Sequence, residues 1–281
     1  MKKLIVAALA ASSMCAFAAD ELEEENDSPL FWGFANTGIY SGYQLYGSLL
    51  NKEPTWQTYA ELNVNLPYEF YAGVGLWFNS DLTSRRHDSY EKFCNEFDPI
   101  IHFGRTFWFD DDRTWGLDWR SKIVWYYYPH HAHRYAKTDT TMDFNHSFAL
   151  LNPFVIPFID VVREYHENDA NLLQFGLKKP IAVTDELSLT PSITAVWREN
   201  RYNWCFPTAG FTEFHNSGIA TVKVGVDADY ALGDNFGLFA KLYFSSIVDP
   251  DLRDAADHGG KRDYGRYKDF AWGGVGVYFK F

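Results

Sequence analysis

The sequence predicts an all-β protein: a closed antiparallel transmembrane β-barrel of about twelve strands, with short turns at one end and longer loops at the other. Three observations predict it. Segments whose apolar residues recur at every second position run down the chain, bounded by Asn, Asp, Gly and Pro, and helical patterns are nearly absent after the first twenty residues. Aromatic residues make up 19% of the chain, far more than a soluble core requires, yet no window after the leader holds the roughly 18 consecutive apolar residues of a membrane helix. The connections alternate between tight and long, so the segments form a meander with its two ends built differently.

The opening MKKLIVAALAASSMCAFAAD has two lysines, an apolar run from Leu4 to Ala11 and the small-x-small step Ala16-Phe17-Ala18. This is the pattern of a secretory signal peptide spanning 1–18, and Cys15 falls inside it as an apolar residue that is discarded. Residues 19–30 form an acidic, solvated tail, and 31–281 form one barrel domain with no visible repeat, linker or second domain. Export places the barrel across an outer membrane, with the short turns on the periplasmic side and the long loops extracellular.

Twelve alternating segments follow, at 31–46, 55–66, 69–80, 95–108, 114–128, 143–152, 154–166, 170–183, 187–200, 217–232, 235–248 and 268–281. In the third, Phe70, Ala72, Val74, Leu76 and Phe78 alternate with Tyr71, Gly73, Gly75, Trp77 and Asn79. In the tenth, Val222, Val224, Val226 and Ala228 alternate with Lys223, Gly225, Asp227 and Asp229; the eleventh and twelfth repeat the pattern. Connections at 67–68, 109–113, 152–153, 184–186 and 233–234 are tight, whereas 81–94, 129–142, 201–216 and 249–267 are long and polar. An even strand count lets the last strand pair with the first, which removes the free edge that a terminal aromatic strand would otherwise expose. A periplasmic β-sandwich or β-helix would also alternate, but would not place Trp and Tyr so often near strand ends.

The same parity assigns an inward set: Glu61, Asn63, Asp118, Arg120, Lys122, Lys178, Arg198, Lys223, Asp227, Asp229, Lys241 and Lys280. So many charges cannot form a dry interior unless nearly all are paired, so the lumen should hold water. The reading that follows is a channel for passive diffusion of small polar solutes or ions, with opposed lumen charges setting a charge preference. The alternative is a plugged, non-conducting barrel in which the same charges only satisfy one another, serving a structural or surface-recognition role. No cofactor is implied, a monomer is expected, and the net charge of −12 with no basic stripe excludes nucleic acid as a partner.

Other chemistry-bearing stretches each have a blander reading beside the functional one. His215 and Ser217 lie two apart, which puts imidazole and hydroxyl on one strand face, but no orienting Asn or Asp is evident; His146 and Ser147 are adjacent and point to opposite faces. His130, His131 and His133 form a loop that reads better as solvated than as a metal site. Asp249, Asp251, Asp254 and Asp257 lack the glycine and spacing of a calcium loop. Cys94 and Cys205 fall in different outer loops of an exported chain, where a disulfide is open to them.

With its leader, its alternating strands and the terminal Val275, Val277, Phe279 and Phe281, the chain resembles bacterial outer-membrane β-barrel proteins. That resemblance implies recognition of the carboxy-terminal strand by the barrel-assembly machinery, and outer-membrane lipids as surroundings. Near the front, Tyr43-Gln44-Leu45-Tyr46-Gly47, Glu53-Pro54-Thr55-Trp56-Gln57 and Phe70-Tyr71-Ala72-Gly73-Val74 are similar to the opening of small porins of the TorF type, although Tyr46 stands where that family has Arg. The His215-x-Ser217 pair is similar to the His-x-Ser-Asn-Gly motif of outer-membrane phospholipase A, which implies a lipid acyl hydrolase as a further alternative; here Gly218 follows Ser217 directly and the Asn is missing.

Overall fold

The computed structural model describes residues 29–82, 96–128, 140–166, 169–202, 216–258 and 267–281. The leader, most of the acidic tail, Cys94, Cys205, His215 and the His130–His133 loop lie outside the described residues.

Twelve long strands form the wall. They are β1 Phe31–Tyr40, β2 Thr55–Asn65, β3 Phe70–Asp81, β4 Glu96–Trp108, β5 Gly116–Tyr127, β6 Thr140–Leu151, β7 Ile156–Glu164, β8 Ala170–Lys178, β9 Leu187–Arg198, β10 Gly218–Ala231, β11 Phe236–Ile247 and β12 Asp269–Lys280. Each pairs antiparallel with its neighbours in sequence, and β12 pairs with β1 from Phe34 opposite Lys280 to Tyr40 opposite Gly274. The cylinder is therefore closed, and every strand has a partner on both sides. All twelve expected strands are present, and the protein is an outer-membrane-type β-barrel with an uncovered apolar belt. Leu76, Ile193, Leu242, Phe244, Val275 and Phe279 all stand exposed on its outside, which in water would be an aggregation hazard and in a bilayer is the lipid-facing surface.

The short turns are closed by their own chemistry. In the β6–β7 turn the side-chain oxygen of Asn152 accepts the amides of Phe154 at 2.9 Å and Val155 at 3.0 Å, an Asx-turn. In the β4–β5 turn Asp110 accepts the amides of Thr114 at 3.0 Å and Trp115 at 2.9 Å.

Three expectations are corrected. The first strand stops at Tyr40 rather than running to residue 46. Tyr46 and Gly47 have φ of 48° and 78°, the paired left-handed residues of a type I′ turn, and they close a small hairpin of Tyr43–Leu45 with Ser48–Asn51. The eighth strand stops at Lys178, because Pro180 has no amide to continue the ladder, and Ile181–Ala182 makes a separate short pairing with β9. Part of the last long loop is a helix, α1 Pro250–His258, with Pro250 in the first turn and Asp249 as its cap; the Asp249 carboxylate accepts the amides of Asp251 at 2.9 Å and Leu252 at 3.1 Å.

The apolar core sits inside the cylinder at the long-loop end. Val162, Ala170, Leu172, Val196, Ala220 and Ile247 point inward from β7–β11 and, with Tyr202 and Leu252, pack against Leu45, Tyr46 and Leu50 of the hairpin. That hairpin is folded into the bore.

Candidate functional site

The interior divides into two levels. At the long-loop end the hairpin crosses the bore. The Tyr46 hydroxyl donates to Asp143 of β6 at 3.0 Å, Thr221 of β10 donates to the Tyr46 carbonyl at 3.0 Å, and Ser245 of β11 donates to the Gly47 carbonyl at 2.6 Å. Gly47 is required here twice over: its φ is left-handed, and a Cβ on it would run into the Thr221 side chain. On the near side the Tyr43 ring packs 5.3 Å from Trp77. Around it, polar wall residues including Glu96, Asp98, Thr141, Asp143, Glu164 and Arg198 are buried. Arg198 thus faces inward as expected but lines no open space; it is held at 3.1 Å by Asp249, the same residue that caps α1.

Towards the short-turn end the inward charges range from nearly buried, as at Glu61 with 8% of its side chain exposed, to partly accessible, as at Arg120 with 27%. On one wall Glu61 of β2 accepts Arg120 of β5 at 2.6 Å and the Tyr59 hydroxyl, while His102 meets Asn63 at 2.5 Å across the space left by Gly73. Thr106 donates to Asp118 at 2.8 Å, and Lys122 follows Arg120 on the same face. On the opposite wall Asp227 accepts the Tyr243 hydroxyl at 2.6 Å and stands level with Lys241, and Asp229 points inward one step nearer the turns. Among the described residues Lys178, Lys223, Lys241 and Lys280 make no ion pair. Each lies over a ring instead: Lys223 at 4.7 Å from Tyr243, Lys280 at 4.9 Å from Tyr278, Lys241 at 5.8 Å from Phe239 and Lys178 at 6.0 Å from Phe158. Each wall therefore carries both signs, with Glu61, Asp118, Arg120 and Lys122 on one and Lys223, Asp227, Asp229 and Lys241 on the other.

Sequence reasoning missed two features. One is the hairpin, although Tyr43, Leu45, Tyr46, Leu49 and Leu50 are too apolar for a surface loop and were the available signal. The other is an aromatic lining. Inward glycines leave space that neighbouring rings fill, Tyr40 over Gly274, Phe239 over Gly276 and Tyr278 over Gly237. Tyr40, Phe239, Tyr278, Phe34 and Trp272 form one such cluster.

The remaining candidates separate. Val275, Val277 and Phe279 lie on the outward face of β12. Beyond them Phe281 exchanges two backbone hydrogen bonds with Gly33, at 3.0 and 3.2 Å. Ser217 is exposed and accepts the amide of Asn200 at 3.0 Å, while its expected partner His215 lies outside the described residues. His146 does face away from Ser147, and on the lipid side it meets Ser121 of β5 at 2.5 Å with Phe144 and Phe148 beside it. Among the described residues His146 has no second hydrogen-bond partner, so this pair lacks the orienting group of a triad and reads as two polar side chains satisfying each other in hydrocarbon. Among the described residues no cluster of His, Cys, Asp and Glu is arranged to hold a metal, and Asp249 is committed to the helix cap and Arg198.

No family profile and no curated protein matches the chain. Solved structures do. An outer-membrane channel from Pseudomonas putida F1 superposes with a TM-score of 0.54 at 9% identity, covering 93% of this chain and 99% of that one. The NanC porin gives 0.48 at 9% identity, covering 88% and 100%; outer-membrane phospholipase A from Escherichia coli gives 0.47 at 12% identity, covering 88% and 92%. At these identities the likeness is one of fold.

Proposed function

We propose that the barrel is a porin-like channel for passive diffusion of small polar solutes or ions, with the Tyr43–Asn51 hairpin as its constriction. The observation that carries this reading is the set of half-buried lysines in the short-turn half that make no ion pair among the described residues, Lys178, Lys223 and Lys241. Charges of that kind are tolerable only where water enters, and a water-filled half-bore behind a hydrogen-bonded hairpin is a vestibule. Because both signs are present on each wall, the channel filters by size more than by charge. Liposome swelling tests it: vesicles carrying the refolded protein should swell in solutions of small sugars or amino acids and resist larger ones, and a barrel that is inserted yet gives no swelling with any solute overturns the proposal.

A second reading, the non-conducting barrel, is favoured by the burial of Arg198, Glu164, Thr221 and Ser245 around the hairpin. Removing residues 43–51 separates the two. A constriction that opens will give larger flux when deleted from a wild type that already conducts, whereas a permanent plug gives flux only after deletion. Recognition of the β12 strand by the barrel-assembly machinery belongs to the same proposal, as does the monomer.

A further inference from the structure

The strongest unassigned site is on the outside of the barrel, at its short-turn end. Arg105 shares the outward face of β4 with Ile101, Phe103 and Phe107, so its side chain lies on the lipid side. Its guanidinium sits between two rings, 5.0 Å from Phe70 and 4.7 Å from Phe107. Its Nε is buried without a hydrogen-bond partner, and among the described residues no carboxylate pairs with it. A guanidinium partly buried at the edge of the hydrocarbon region is costly unless an anion reaches it, and the described residues supply none.

Beside it is an open cleft of about 420 Å³, lined by Glu69, Arg105, Phe107, Phe109, Asp111 and Arg113 among others. Within the cleft Arg113 and Glu69 satisfy each other at 2.7 Å, and Asp110 is occupied with the turn amides of Thr114 and Trp115. Among the described residues two unengaged charges of opposite sign line the cleft, Arg105 facing lipid and Asp111 on the exposed rim.

We propose that this cleft holds the headgroup of a zwitterionic phospholipid of the phosphoethanolamine type. The phosphate accepts hydrogen bonds from Arg105 in a charge-assisted, planar arrangement, and the primary ammonium lies against the Asp111 carboxylate. The acyl chains run up the outward face past Phe103 and Ile101. The bland alternative is an arginine that merely extends along the rings to reach interfacial water, and such a residue would be indifferent to headgroup.

Native mass spectrometry of the full chain, delipidated in detergent and then given phosphatidylethanolamine or phosphatidylglycerol, distinguishes them. The proposal expects phosphatidylethanolamine to be retained at least about tenfold better than phosphatidylglycerol. Arg105→Gln should lose retention of both lipids, and Asp111→Asn, on an exposed turn, should keep retention while erasing the preference. Heat-modifiable gel migration checks that both variants remain folded. Equal retention of the two lipids by the wild type, or unchanged retention by Arg105→Gln, overturns the proposal. The readout does not depend on conduction.

Discussion

Gly47→Ala probes the constriction most sharply. An alanine held at φ near 78° costs about 1–2 kcal/mol in the left-handed region, before any contact is counted. Its Cβ collides with the Thr221 side chain, so the turn must shift away from β10 and β11. That shift breaks the Thr221 bond to the Tyr46 carbonyl and the Ser245 bond to the Gly47 carbonyl, each contributing about 1 kcal/mol. The docked hairpin should lose roughly 3–4 kcal/mol, a change of two to three orders of magnitude in its population against undocked states. The wall strands do not depend on this turn, so the barrel itself should still form. Hydrogen exchange should show faster exchange of the amides at residues 43–51 alone, and the swelling rate with a given solute should rise. Unchanged exchange at these amides together with unchanged swelling would refute the idea that this turn holds the hairpin in the bore.

Arg120→Gln leaves Glu61 without its cation, so reversal potentials in a salt gradient should shift towards cation preference, with a stability loss of about 1–3 kcal/mol in denaturant titration. Asp249→Ala removes both the cap of α1 and the carboxylate paired with buried Arg198, and should cost about 3–5 kcal/mol, read as a lower urea midpoint in micelles; a loss below about 1 kcal/mol would mean that the pair is not buried. Deleting Phe281 removes its two backbone bonds to Gly33 at the closing seam, and should lower the yield of assembled barrel in cells more than the refolded yield in detergent. Ser217→Ala and Ser121→Ala should leave lipid hydrolysis by the purified protein at the background of empty detergent; a serine-dependent activity would revive the hydrolase alternative.

The wall was legible in the sequence because period two is enforced by a single physical fact, that one face of each strand meets hydrocarbon. Val222 to Ala228 and Phe236 to Phe244 carry that pattern without interruption, and their bounds came out within a residue or two. The inward parity was legible for the same reason, and Glu61, Arg120, Lys223 and Lys241 lie where alternation puts them. What alternation could not show is what fills the bore. The hairpin is set by left-handed dihedrals at Tyr46 and Gly47, and Tyr is an uncommon choice at φ of 48°, so no Asn-Gly or Asp-Gly signal announced it. Ser121 and His146 are 25 positions apart, and only the β5–β6 register joins them. Arg198 shows the limit from another side. Its inward direction follows from parity, but its burial depends on Asp249 and on a helix cap in the neighbouring long loop.

The most direct test of the whole account is the single-channel record of the refolded protein in a planar bilayer. The account predicts discrete ion-conducting steps that become larger when residues 43–51 are removed. Inserted, correctly folded barrels that stay electrically silent both with and without the hairpin would contradict it.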